Sequence, residues 1–218
     1  MDERIKMDKD VSAKEYIRSL IFPVFWLASM TAAEAAGIVP PHWGDFFFML
    51  YFGGFFVYFV FIKRQFDIKA FFSDFKTAVF WKYTVLCIVL LMAAYGAGML
   101  PGVLFPAHNI VFIQTSFVRA YDTLSKIAFF FAAVLFPGLG QELFYRKAVI
   151  RFTSKKTAAI SAAAGALLFA VNDNLDLYGI FRSFLVGLAF AVPYIRTKNI
   201  NPSIFAHCFA SITMTVIF

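Results

Sequence analysis

The stretch Ile127-Ala-Phe-Phe-Phe-Ala-Ala-Val-Leu-Phe-Pro-Gly-Leu-Gly140 is apolar throughout and runs directly into Gln141-Glu142-Leu-Phe-Tyr-Arg146. An amide, a carboxylate and a guanidinium thus stand at the end of an apolar run. An ionisable group in a membrane helix costs roughly 2.5–3.5 kcal/mol on insertion scales, so such a group marks a functional site by default. Pro137-Gly138-Leu139-Gly140 lies just before the polar pair. Proline removes a helical hydrogen bond and glycine adds freedom, which predicts a kink or local unwinding. Irregular backbone at membrane depth is tolerated only inside protein or beside a wet cavity.

Working outward, the whole chain fits the same solvent. Of its 218 residues, 61% are hydrophobic and only 15% are charged, more apolar surface than a soluble domain of this size needs. Seven apolar spans are expected, at about 16–36, 46–62, 83–100, 127–145, 157–172, 178–195 and 200–218. The fold expected is therefore an all-α membrane protein, a single bundle of about seven transmembrane helices over 16–218, preceded by a polar arm at 1–15. Alternating the loops between two sides puts 17 of the 20 Lys and Arg residues on the side of 1–18, 63–82, 146–156 and 196–199. Only Arg119, Lys126 and Arg182 fall on the other. The positive-inside rule then sets the N-terminus in the cytosol and the C-terminus outside. The net charge of +7 is thereby an orientation signal, and nucleic acid is not an expected partner.

Local signals refine this outline. Thr31–Ala36 offers small residues suited to signal cleavage, but the preceding arm mixes acids with bases and the run is long enough to span, so a retained span is expected. Residues 66–81 alternate apolar and polar positions at roughly helical spacing, which predicts a helix lying on the cytosolic face; a solvated loop is the alternative. Pro101 and Pro106 are expected to end the third span, and 107–118 is apolar but too short to cross. Cys87 and Cys208 fall in apolar runs and read as small buried hydrophobes.

Three polar pairs recur at i, i+4 on three spans. Glu142 and Arg146 share one helix face, either as a site or as an ion pair with Arg146 reaching toward the headgroups. Phe169 and Asp173 close the fifth span, where Asn172-Asp173-Asn174 also reads as a polar turn. His207 and Ser211 sit in the last span, after Arg196-Thr-Lys-Asn-Ile-Asn-Pro202, whose proline suits a first helical turn. Polar groups in a membrane face one another in preference to lipid, so the three pairs are expected to converge on one cavity.

Their order and spacing resemble the CPBP family, the type II CAAX proteases and bacteriocin-processing enzymes of the Ras-converting type. That family carries Glu-Glu-x-x-x-Arg, Phe-x-x-x-His and His-x-x-x-Asn or Asp. The matching stretches are Gln141-Glu142-x-x-x-Arg146, Phe169-x-x-x-Asp173 and His207-x-x-x-Ser211, within about 124–215. The connectors Phe184-Leu-Val-Gly-Leu-Ala-Phe-Ala and Arg196-Thr-Lys-Asn-Ile-Asn-Pro are similar too. The resemblance implies an intramembrane endopeptidase. In it the first glutamate and the second-motif histidine activate water, while the last histidine and its Asn or Asp stabilise the oxyanion.

The chain departs from that pattern at Gln141, Asp173 and Ser211. An amide is no general base at neutral pH. Two readings follow. Either catalysis is lost, leaving a pseudoprotease that acts as scaffold, immunity or substrate-binding protein, or the site is rebuilt. In a rebuilt site Glu142 or Asp173 is the base, His207 assists and Gln141 donates to the oxyanion; two buried carboxylates sharing a proton would suit this. Neighbouring helical residues point about 100° apart, so Glu142 replaces Gln141 only if the helix rotates. A carboxylate-rich metal site at Asp173, Glu142 and His207 lacks any supporting spacing motif, so no metal or cofactor is expected. The expected partners are the bilayer and a membrane-bound peptide or protein.

Overall fold

The computed structural model describes residues 52–104, 130–173 and 177–217, with Ser29, Ala32, 36–38 and Ile127 described singly. The expected arm at 1–15, nearly all of the first span and the segment 107–118 lie outside the described residues. The described residues form helices and no strand. In chain order these are α1, Phe52–Ile62; α2, Ile68–Asp74; α3, Ala78–Leu104; α4, 131–147; α5, Lys155–Asp173; α6, Leu177–Thr197; and α7, Asn201–Ile217. Two stretches, Ala78–Pro101 and Leu177–Thr197, are long and apolar enough to cross a membrane.

Helix α3 shows why the composition is so apolar. Phe80, Thr84, Cys87, Leu91 and Ala94 recur every three or four residues and are buried against the bundle. The opposite side exposes Val85, Val89 and Met92. A helix that is apolar on both sides belongs in a lipid-like medium. Helix α6 packs between α3 and α5. Its contact with α5 is close because small residues meet there: a Cβ placed on Gly187 would lie 2.9 Å from both Cα and Cβ of Ala166. Small residues let membrane helices approach until backbone atoms touch.

Three sequence expectations change. The helix predicted over 66–81 is two helices: α2 ends at Asp74, and α3 starts at Ala78. Thr77 makes the break, its Oγ1 donating to Asp74 O at 2.7 Å and accepting from Phe80 N at 3.2 Å as an N-cap. Pro101 does not end the third helix, which continues to Leu104; the bond lost at proline falls in the last turns, where few bonds depend on it. Pro137 does not interrupt α4, and the irregular winding falls on either side of it. It sits at the start of a regular α segment, Phe136–Glu142, flanked by wider π-wound segments at Phe131–Leu135 and Leu143–Lys147.

The cytosol-facing loops of the sequence reading hold a polar clamp. Asp67 caps α2, its Oδ1 accepting from Lys69 N and Ala70 N at 2.8 and 3.1 Å. Asp74 is buried at the other end of α2, where one oxygen, Oδ2, accepts from Asn199 Nδ2 and Asn201 Nδ2, both at 2.7 Å. The α6–α7 turn is thereby tied to α2. Lys198 holds a positive φ of 55° in that turn, and its N–H bonds back to Tyr194 O at 2.8 Å. Pro202 is the second residue of α7, within its first turn as expected.

Candidate functional site

Each polar group of α4 is set by the winding of that helix. The α segment Phe136–Glu142 buries Gln141 and Glu142, and the π-wound segment that follows buries Arg146. Wide π turns recur at functional sites because they re-aim side chains within a continuous helix. Glu142 is 0% exposed and Arg146 is 1% exposed, so their pairing is internal and Arg146 does not reach toward headgroups. Arg146 Nη1 lies 3.1 Å from Glu142 Oε1. The same carboxylate oxygen lies 2.8 Å from Nδ1 of His207 on α7. Arg146 Nη2 donates to Gly187 O on α6 at 3.2 Å.

Two phenylalanines hold this cluster. The Arg146 guanidinium lies 4.6 Å from the ring centre of Phe169 on α5 and 5.2 Å from that of Phe190 on α6. Phe190 also stacks on the His207 imidazole, with centroids 4.5 Å apart and planes 13° apart. Phe169 meets the same imidazole edge-on at 6.5 Å. A desolvated cation–π contact is worth about 2 kcal/mol. The rings therefore fix the imidazole plane as well as helping to stabilise the buried cation.

Glu142, Arg146, Phe169 and His207 thus meet across α4, α5 and α7. Among the described residues, Glu142 Oε2 and Arg146 Nε and Nη1 have no hydrogen-bond partner. Buried polar atoms without a hydrogen bond are rare in native proteins and occur at strained, catalytic or hydrated sites. Gln141 is buried and makes no side-chain hydrogen bond among the described residues.

Asp173 behaves differently. It ends α5 in an exposed position, and its Oδ2 accepts from Ser183 Oγ at 2.7 Å. The premise of Glu142 and Asp173 as two buried carboxylates sharing a proton is not met, because of the two only Glu142 is buried. The physical reason is the end of the helix: Asp173 is its last residue, one turn beyond Phe169. Ser211 lies half-buried one turn beyond His207. No group of three His, Cys, Asp or Glu among the described residues is placed to hold a metal. Cys87 is buried and Cys208 half-buried, both as free thiols.

Sequence reasoning did not assign Phe190, Gly187 or Ser183 a role. Phe190 is one of 31 phenylalanines, and nothing local distinguishes it. The Gly187 carbonyl and the Ser183 hydroxyl act through tertiary contacts. Gly187 and Phe190 fall within the connector 184–191 quoted above, but nothing in that stretch states what they touch.

The fold and the site define a helical domain, with two helices long and apolar enough to cross a membrane, built round a buried carboxylate, imidazole and guanidinium. A family model described as Type II CAAX prenyl endopeptidase Rce1-like matches residues 123–213. The match falls in the region where the motif resemblance lies. No curated protein and no solved structure matches the chain.

Proposed function

We propose that this protein is a multi-pass membrane endopeptidase of CPBP type whose water-activating group has moved from α4 to α7. The observation that carries this is the 2.8 Å contact between Glu142 Oε1 and His207 Nδ1. The carboxylate accepts, so Nδ1 donates, and a neutral ring then keeps its lone pair on Nε2. A carboxylate that orients a histidine in this way is the arrangement that makes imidazole a general base in hydrolases. In this reading His207 Nε2 takes a proton from water while the water oxygen attacks the peptide carbonyl. The same nitrogen then returns the proton to the leaving amine. Gln141 supplies an uncommitted amide N–H for the oxyanion, a donor of a type worth about 10²–10³ in rate. Glu142 orients the ring, and Arg146 balances its charge.

The substrate class is a membrane-bound peptide or protein. We infer a single transmembrane domain over 16–218 of about seven spans, with the N-terminus in the cytosol, on the strength of the charge distribution. The setting is a bacterial or archaeal cell membrane.

A second reading is a pseudoprotease that binds substrate without cutting it. It draws on the exposed position of Asp173 and on Gln141 standing where the family has a glutamate. One assay separates the two: purified protein with a library of membrane peptides, followed by mass spectrometry. The endopeptidase reading expects cleavage that Glu142→Gln and His207→Ala abolish and Asp173→Ala leaves within about threefold of the parent. No cleavage by the parent, with cleavage gained on combining Gln141→Glu, Asp173→His and Ser211→Asn, would overturn it in favour of the pseudoprotease.

A further inference from the structure

The short helix α2 and the residues beside it form a surface of unusual composition. Ile68 and Phe72 lie one turn apart on α2 and are 60% and 58% exposed. Trp81, at the start of α3, is 44% exposed. Arg64, Lys69, Lys76 and Lys82 are exposed among them. None of these four cations is paired with an acid among the described residues. The two acids within reach in sequence are committed: Asp67 caps α2, and Asp74 is buried on Asn199 and Asn201.

The opposite side of α2 is fixed to the protein. Phe71, Asp74 and Phe75 share one helical face. Phe75 rings contact Phe80, Trp81 and Phe205 at centroid distances of 4.8, 5.9 and 5.3 Å. The outer face therefore stays presented even without a ligand. Apolar side chains interleaved with unpaired cations are the composition of a helix lying in a membrane interface, with its apolar groups among acyl chains and its ammonium groups at headgroup level. A soluble polyanion would satisfy the cations but leave Ile68, Phe72 and Trp81 in water.

We propose that α2 with Arg64, Lys69, Lys76 and Lys82 is a site for the headgroups of anionic phospholipids. It rests on the membrane reading of the domain and not on whether the domain cuts peptides. Each Lys or Arg near an anionic leaflet contributes about 1 kcal/mol, or about fivefold in occupancy.

The test uses the full chain in micelles carrying equal phosphatidylglycerol and phosphatidylcholine, with native mass spectrometry of the retained lipid. Phosphatidylglycerol is expected to exceed phosphatidylcholine by at least about fivefold. The ratio should fall close to one in Arg64→Gln/Lys69→Gln/Lys76→Gln/Lys82→Gln and be kept in Lys69→Arg/Lys76→Arg/Lys82→Arg. Excess inorganic phosphate should not displace the lipid. Equal retention by the parent, an unchanged ratio in the quadruple variant, or full displacement by phosphate would each overturn the proposal. If the quadruple variant is not recovered as a monodisperse species, Lys69→Gln and Lys76→Gln decide singly, and each must lower the ratio.

Discussion

His207 and Glu142 stand 65 positions apart in the chain and meet at 2.8 Å inside it. The pair joins α4 to α7 at a point where Glu142 has no solvent contact. Its two halves have different consequences when removed. Glu142→Ala leaves the Arg146 cation buried without its carboxylate, a change that costs about 3–5 kcal/mol. Glu142→Gln keeps an acceptor for the imidazole and is expected to cost less. Thermal unfolding of both variants in the same detergent should rank alanine well below glutamine.

Gly187 carries two duties in one residue, admitting Ala166 closely and presenting its carbonyl to Arg146. Gly187→Ala drives a methyl group to 2.9 Å from Ala166 Cα and Cβ, so the helices must part. Overpacking of this kind costs about 1–3 kcal/mol. Adding Ala166→Gly should return part of the loss, as judged by a double-mutant cycle on unfolding midpoints.

Phe190→Leu keeps an apolar side chain but removes the ring stacked on His207. A stability loss of about 2 kcal/mol is expected: volume is nearly conserved, but the ring's contact with the buried Arg146 guanidinium is lost. Peptide cleavage should drop by more than stability does, through kcat and not KM, since the imidazole plane is freed while substrate contacts elsewhere remain.

The Asp74 clamp predicts an asymmetry between partners. Asp74→Ala leaves two amide donors without their acceptor and should cost about 1–3 kcal/mol. Asn199→Ala removes only one of two bonds to the same oxygen and should cost less. Urea unfolding followed by circular dichroism would report both.

How much of this was open to a reader of the chain depends on the range of the interaction. Apolar run length marks α6 and α7 within two residues and α3 within five, because run length is a property of the segment alone. The i, i+4 pairs of Glu142 with Arg146 and of His207 with Ser211 are equally local. Asp74 was unreadable: it looks like an ordinary polar residue of a surface helix, and its partners lie 125 and 127 positions downstream. The surroundings of Asp173 were unreadable for a related reason. Its sequence position matches a catalytic motif, but one turn of helix separates the buried Phe169 from the exposed carboxylate. The π winding of α4 left no signal either, since proline and glycine announce irregularity without stating its form.

The clamp at Asp74 also fixes a length. It grips α7 at its first residue, Asn201, and His207 follows six residues later, so the imidazole sits about 9 Å along the axis from the grip. With α2 in the interface, as proposed above, that interval would become a depth gauge. A peptide bond offered to His207 would hang nearly two helical turns below the headgroups, and a substrate of the proposed endopeptidase would be chosen by how far its weak point is sunk before its side chains are read.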